Sequence, residues 1–97
     1  MYLEPPLEVM KGLSNVRVIE KEEVMFECKF NRDPKFENVQ WLKDGELINE
    51  DSRIKFLNDG KRQFLIIKNS KLTDAGNYTI KAVDVESTAW LKVRGIY

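Results

Sequence analysis

The chain has 97 residues, with 16 basic and 16 acidic side chains and a formal net charge of zero. This length accommodates one domain with one core, and 42% hydrophobic with 33% charged residues is ordinary for a globular protein. Balanced, interspersed charges argue against a nucleic-acid partner, and no apolar run approaches the roughly 18 residues of a membrane span. The single cysteine excludes an internal disulfide and favours a reducing compartment.

The first part of the chain predicts a leading linker and two strands. Pro5 and Pro6 remove backbone donors and stiffen residues 1–6, which suits a linker. Apolar residues then alternate over 16–19 and, more clearly, over 24–30. The EKEE segment between these strands is interpreted as a solvated hairpin turn, since no further ligands surround its acids to make a metal site.

The rest of the chain predicts further short strands separated by turns. Asp44 and Gly45 form one predicted turn, and the segment 58–60 forms another. A crossover over 69–75 is expected to bury Leu72. The predicted strands are residues 39–43, 54–57, 63–68, 76–83 and 87–93. Seven to nine short strands without a helical period predict an all-β, two-sheet antiparallel sandwich.

Several landmarks make this pattern resemble a known family. They are Cys28, Trp41 thirteen residues later, Leu65-x-Ile67 and Asp74-x-Gly76-x-Tyr78, together with the segments WLKDGELI and DAGNY. They resemble an immunoglobulin domain of the intermediate set (I-set), covering residues 7–94 between linkers at 1–6 and 95–97. The resemblance implies a Greek-key sandwich with Trp41 as core tryptophan, Tyr78 as corner tyrosine and an ion pair between Arg53 and Asp74.

The chain departs from this family at Ile80, where extracellular members carry a second cysteine. A disulfide there typically stabilises by roughly 2 to 4 kcal/mol, and burying an isoleucine contributes about 1.5 to 3 kcal/mol. Packing can therefore replace most of the missing bridge in a cytosolic domain. The expected structural core is Cys28, Trp41, Leu65, Ile67, Tyr78 and Ile80. The sequence of the chain is similar to that of cytoplasmic, sarcomeric modules of the giant muscle proteins: titin, with myosin-binding protein C and obscurin as relatives.

This resemblance implies a structural module without enzymatic activity, cofactor or metal. The absence of histidine, of a Cys/His cluster and of a phosphate-binding glycine loop agrees with that expectation. The implied partners are neighbouring immunoglobulin or fibronectin-type modules and sarcomeric proteins such as myosin, actin or other immunoglobulin domains, with no nucleic acid or membrane. In such modules residues 16–19 lie parallel to 91–94, so that load shears their hydrogen bonds together.

A binding role is the alternative hypothesis. Alternation points Trp90 outward on the sheet that also displays Leu42, and the two are candidates for an apolar protein-binding patch. Trp90 could instead lie over a loop of its own domain, or the strand register could be shifted by one residue. An exposed strand edge is another candidate, and Phe64 and Ile66 raise the same question on the other sheet. The glycosylation triplet that begins at Asn77 keeps an extracellular adhesion domain open as a third class.

Overall fold

The computed structural model describes residues 5–96, which form nine strands in two packed sheets. One sheet has the strand order β1-β3-β7-β6 and the other β2-β9-β8-β4-β5. The strands are β1 (Val9–Lys11), β2 (Val16–Ile19), β3 (Val24–Phe30), β4 (Val39–Lys43), β5 (Glu46–Leu47), β6 (Ile54–Asp59), β7 (Arg62–Ile67), β8 (Gly76–Ala82) and β9 (Val85–Arg94). This all-β sandwich confirms the fold class predicted from the sequence.

The core lies between the sheets and is built from every second residue of the strands. In β3 the side chains of Val24, Phe26, Cys28 and Phe30 point inward and are at most 1% exposed. The opposite sheet contributes Trp41, Tyr78, Ile80, Ala82, Ala89 and Leu91. The ring centroids of Phe26 and Tyr78 lie 5.1 Å apart, and aromatic pairs at such distances stabilise beyond the area they bury.

The segment 20–23 connects the two sheets and is not a hairpin turn. β2 pairs in parallel with β9, whereas β3 belongs to the other sheet. The N–H of Lys21 donates to the carbonyl of Ser70 at 2.7 Å, and the N–H of Ser70 donates to the carbonyl of Glu22 at 3.1 Å. The hairpin prediction was wrong because a period of two identifies the buried face of a strand but not the sheet it joins.

The tight turn predicted at Asp44 and Gly45 is present, whereas the turn predicted over 58–60 lies further along the chain, at Gly60 and Lys61. Asp44 and Gly45 have φ of 49° and 83° between β4 and β5, as a type I′ hairpin turn requires. Between β6 and β7, Asp59 pairs with Arg62, and Gly60 takes a φ of 61°. Glycine tolerates this left-handed conformation in both turns, and aspartate tolerates it at Asp44.

The crossover before β8 buries different residues from those expected. Leu72 is 49% exposed, so its predicted burial was wrong. A 3-10 turn at Leu72–Asp74 instead directs the aspartate inward, where Asp74 and Ser70 are buried. A leucine in a short polar crossover has no periodic neighbours, and its direction depends on the turn geometry.

The leading segment is held against the loop that follows β3. The side chain of Arg32 donates to the carbonyl of Pro5 at 3.0 Å, and that of Asn31 donates to the carbonyl of Pro6 at 2.9 Å. Leu7 is buried in the core. Residues 5 and 6 of the predicted linker therefore contact the domain, while residues 1–4 and 97 lie outside the described part of the chain.

Candidate functional site

The corner before β8 joins Tyr78, Asp74 and Arg53. The tyrosine hydroxyl donates to the backbone carbonyl of Asp74 at 2.5 Å. The two terminal nitrogens of Arg53 donate to the two carboxylate oxygens of Asp74 at 2.9 and 3.0 Å, a bidentate pair that is stronger than a single contact. The N–H of Lys71 donates to the same carboxylate at 2.7 Å. The corner thus links the start of β6 to the crossover and to β8.

The environment of this corner shifts two pKa values. Burial acts to raise the pKa of Asp74, but the hydrogen bonds from Arg53 and from the Lys71 N–H outweigh it, so the pKa lies below its usual value. Burial, followed by the charge of Asp74, raises the pKa of the Tyr78 hydroxyl. Both groups are held in one protonation state, which suits a structural role and not proton transfer.

Gly76 allows the segments WLKDGELI and DAGNY to come into contact. Its φ is 155°, and a Cβ placed on it would lie 2.6 Å from a carboxylate oxygen of Asp44. That carboxylate accepts the N–H of Asn77 at 2.9 Å, and the N–H of Asp44 donates to the carbonyl of Asn77 at 2.7 Å. The close approach requires glycine, which explains the Asp-x-Gly-x-Tyr spacing physically.

Cys28 and Ile80 lie on the inward faces of opposite sheets. Both side chains are fully buried, and Trp41 is the register partner of Ile80 on the adjacent strand. Burial raises the pKa of the free Cys28 thiol to about 11, so that the nucleophilic thiolate is suppressed at neutral pH. Leu65 and Ile67 are also fully buried. Within residues 5–96, no group of three or more His, Cys, Asp and Glu is placed to hold a metal ion.

Trp90 faces outward on β9 and contacts side chains of its own sheet. Its neighbours Ala89 and Leu91 are buried, as the unshifted register requires. The guanidinium carbon of Arg17 lies 5.1 Å from its ring centroid, and the ammonium of Lys92 lies 4.6 Å from it. The indole is therefore half-buried under two cations, which are attracted to its face.

Leu42 does not adjoin Trp90. Leu42 of β4 pairs with Thr79 of β8, whereas Trp90 of β9 pairs with Asn77 of β8. These polar residues of β8 separate the two side chains, so Trp90 and Leu42 do not form one continuous apolar patch. Asn77, the first residue of the glycosylation triplet, is exposed in this central strand.

Beside Trp90 lies a groove that carries three cations, which we call the cationic groove. It measures about 510 Å³ and is lined by Arg17, Val18, Ile19, Glu22, Lys92, Val93 and Arg94. The basic residues were not singled out from the sequence, because their proximity depends on the parallel register that places Arg17 opposite Lys92. Their outward positions were readable, since each alternates with an apolar residue of its strand.

The other sheet displays an apolar strip on its outward face. Met25 and Leu57 are 55% and 54% exposed, and Phe64 and Ile66 between them are half-buried. Met25 pairs with Ile66, and Leu57 pairs with Phe64. Phe64 and Ile66, for which the sequence raised the question of an exposed apolar patch, therefore lie at the centre of this strip.

Two strand edges are covered by carboxylates of the chain itself. At the edge strand β2, the N–H of Ile19 donates to the side chain of Glu22 at 2.7 Å. At the edge strand β6, the N–H of Ile54 donates to Asp51 at 2.8 Å. Each carboxylate occupies a donor that an added strand would need, which hinders further pairing at that point of the edge.

Comparison with known proteins agrees with this architecture. The family model described as immunoglobulin I-set domain matches residues 7–93. The chain is 37% identical over 92 residues to chicken "Myosin-binding protein C, fast-type", covering 93% of this chain and 8% of the relative. It is 39% identical over 98 residues to "Muscle M-line assembly protein unc-89" of Caenorhabditis elegans, covering 96% of this chain and 1% of that protein.

A solved structure of titin domain I10 has the same fold. It superposes with a TM-score of 0.86 at 29% sequence identity, covering 92% of this chain and 99% of the titin domain. The chain therefore matches nearly the whole titin domain, but only a small share of the much longer myosin-binding protein C and unc-89 proteins.

Proposed function

The chain belongs to the immunoglobulin I-set family, and on that premise we propose that it is a non-enzymatic structural module of a tandem immunoglobulin array. The parent would be a giant muscle protein in the cytoplasm of the sarcomere. This setting is supported by the names of the relatives and by the small share of each that the chain spans. Within the array the module acts as a mechanical spacer and scaffold between neighbouring immunoglobulin or fibronectin-type modules.

The parallel pairing of β2 with β9 carries this proposal. Val16 lies opposite Leu91, and the register continues to Ile19 opposite Arg94. The N–H of Glu20 adds a hydrogen bond to the carbonyl of Arg94 at 2.8 Å. Load that pulls the two strands in opposite directions along their axes must stretch these hydrogen bonds together. Resistance to shear is therefore greater than resistance to unzipping one bond at a time.

Single-molecule stretching between the two ends of the domain tests the mechanical role. We expect unfolding at forces well above those of helical bundles. Val18→Pro should lower that force, because the alternation of β2 points the N–H of Val18 toward β9, as for Glu20. Asn58→Pro is the control, since the alternation points its N–H to the free edge of β6. Low forces in the unmodified domain would contradict the mechanical role.

A second candidate function is recognition of a sarcomeric partner through the outward face that carries Trp90 and Leu42. The half-buried indole beside a groove favours it, because aromatic anchors dominate protein interfaces. Myosin, actin and other immunoglobulin domains are the proposed partners. The edges of β2 and β6 are less suitable docking sites at Ile19 and Ile54, since carboxylates occupy these two N–H donors.

Co-sedimentation with myosin filaments and with actin filaments tests the second candidate. We expect the unmodified domain to sediment with one filament, and Trp90→Ala to reduce the bound fraction at least about fivefold. Leu42→Ala, separated from Trp90 by β8, shows whether both residues belong to the contact. Equal sedimentation of the unmodified and Trp90→Ala domains would remove Trp90 from the binding surface.

A further inference from the structure

We propose that the cationic groove binds an acidic segment of a partner polypeptide. Arg17, Lys92 and Arg94 supply the charge, and the Trp90 ring outside the lining contacts Arg17 and Lys92. This inference rests on the second candidate function, because it uses the same outward face, and it adds the chemical class of the partner.

The three cations of the groove have no carboxylate partner within residues 5–96. The ion pairs of that part of the chain join Arg32 to Glu37, Arg53 to Asp74 and Arg62 to Glu27. Glu22 is the acidic residue that lines the groove, and its carboxylate accepts the N–H of Ile19 at 2.7 Å. Three positive charges and one negative charge leave the lining at +2 in a chain whose net charge is zero.

Contact with Trp90 prepares two of these cations for binding. The charged groups of Arg17 and Lys92 lie over the indole at 5.1 and 4.6 Å. A guanidinium held over an aromatic ring by cation–π attraction still has donors with which it can take a carboxylate by two parallel hydrogen bonds. The contact with the ring also restricts the side chain before a ligand arrives, which lowers the entropy cost of binding.

The spacing of the cations suits an extended peptide. Lys92 and Arg94 project from alternate positions of β9, which lie about 7 Å apart along a strand, and Arg17 lies opposite Lys92. Carboxylates at alternate positions of an extended segment have the same spacing. Because Glu22 covers the edge of β2 at Ile19, the segment lies over the sheet face and does not add a strand.

The lining and the charge favour a polypeptide over a nucleic acid. Val18, Ile19 and Val93 contribute apolar surface between the charges, which matches a segment in which acidic and apolar side chains alternate. A nucleic-acid backbone needs a broad basic surface for affinity, whereas this chain carries equal numbers of acidic and basic residues. The small positive groove fits two or three carboxylates.

The probe is a short synthetic peptide in which glutamates alternate with valines, titrated into the ¹⁵N-labelled domain and followed by NMR and tryptophan fluorescence. We expect saturable shifts confined to β2, β9 and the Trp90 side chain. Affinity should fall at least about tenfold between 50 and 300 mM salt, because charge contacts are screened. The same peptide with glutamine for glutamate should produce no saturable shift.

Two charge-matched double variants separate the groove from general attraction. Arg17→Glu with Lys92→Glu should weaken peptide binding at least about tenfold. Lys29→Glu with Lys55→Glu changes the net charge equally, and its sites are exposed on the other sheet, so binding should stay within about twofold. Arg17→Gln with Lys92→Gln removes the charges without reversing them, and it should also weaken peptide binding. This variant replaces the charge-reversal variant if the latter does not fold.

Three results would overturn the proposal: no saturable shift, equal weakening in both charge-reversal variants, or inorganic phosphate alone producing the same saturable shifts. The stretching and sedimentation experiments distinguish this failure from failure of the proposed functions. If filament binding depends on Trp90 but the acidic peptide does not bind, the partner contacts this face by other chemistry. An unchanged unfolding force in the groove variants leaves the spacer role independent of the groove.

Discussion

At the level of single residues, Ile80 and Cys28 show how the two sheets hold together without a covalent bridge. Each is fully buried on the inward face of a different sheet. Burial of an isoleucine side chain contributes about 1.5 to 3 kcal/mol, comparable with the roughly 2 to 4 kcal/mol of a typical disulfide. The stability of the domain therefore comes from packing and does not depend on the redox state of its surroundings.

Ile80→Cys tests whether the two positions still have the geometry of a bridged domain. We expect the introduced thiol to form a disulfide with Cys28 under mild oxidation, so that both free thiols disappear. The oxidised variant should be about 2 to 4 kcal/mol more stable than the same variant with reductant, as measured by urea unfolding. Ile80→Ala, which loses packing without adding a thiol, is the control. Two persistent thiols under oxidant would mean that these side chains do not face each other.

Asp74 should make stability depend on pH in the acidic range. Its native pKa is depressed, so its contribution is complete above the unfolded pKa of about 3.9 and is lost as the pH falls through the lower native value. Asp74→Asn should cost about 1 to 3 kcal/mol at pH 7, because Arg53 and the Lys71 N–H lose a charged acceptor. Urea unfolding between pH 7 and pH 2 should show this cost shrinking with acid.

The exposed Asp84→Asn serves as the control for Asp74, since it lies in a turn outside the corner. Its unfolding free energy should follow that of the unmodified domain at every pH. A cost of Asp74→Asn that stays constant from pH 7 to pH 2 would contradict the stabilising role of the Arg53 pair.

At the level of elements, the turn between β8 and β9 contains a strained residue. Ala82 pairs with Val85, so Val83 and Asp84 form a two-residue turn, and Val83 has a φ of 57°. A β-branched side chain rarely adopts this left-handed conformation, because its Cβ crowds the backbone. The other hairpin turns place aspartate or glycine in such conformations. Val83 is exposed, and its strained backbone conformation lowers the stability of the domain.

Val83→Asn should stabilise the domain by roughly 1 kcal/mol, because asparagine tolerates the left-handed region. Val83→Thr is the matched control, since threonine is also β-branched and should bring no gain. Thermal and urea unfolding of the three proteins measure the difference. Equal stability of the asparagine and threonine variants would show that the turn carries no such strain.

The strands and turns also show which features of the fold the sequence predicts and which depend on long-range pairing. Alternation over residues 24–30 identified the buried face of β3, and Asp44 with Gly45 marked the turn between β4 and β5, because these signals are local. The segment 20–23 and Leu72 were misassigned, since sheet membership and crossover direction depend on long-range pairing. The cations beside Trp90 required the parallel register of two strands about 75 residues apart, which no local pattern reveals.

At the level of the whole molecule, Cys28 reports on separation of the two sheets. It lies in β3 at the centre of one sheet, with its side chain fully buried in the core that both sheets share. Solvent reaches such a thiol when the core opens, so its ionisation is linked to unfolding of the domain. The pKa of about 11 in the folded state exceeds the value of about 8.5 expected in the unfolded chain.

This difference predicts a loss of stability at alkaline pH. The unfolded chain releases the thiol proton above pH 8.5, while the folded domain keeps it until about pH 11, so stability falls between these values. From pH 7 to pH 9.5 the unmodified domain should lose about 1 kcal/mol more unfolding free energy than Cys28→Ala, which shares its other titrating groups. Urea unfolding at both pH values measures the difference. Parallel pH profiles would mean that water reaches the thiol in the folded state, and the two sheets would then not form the closed core on which the packing of Ile80 depends.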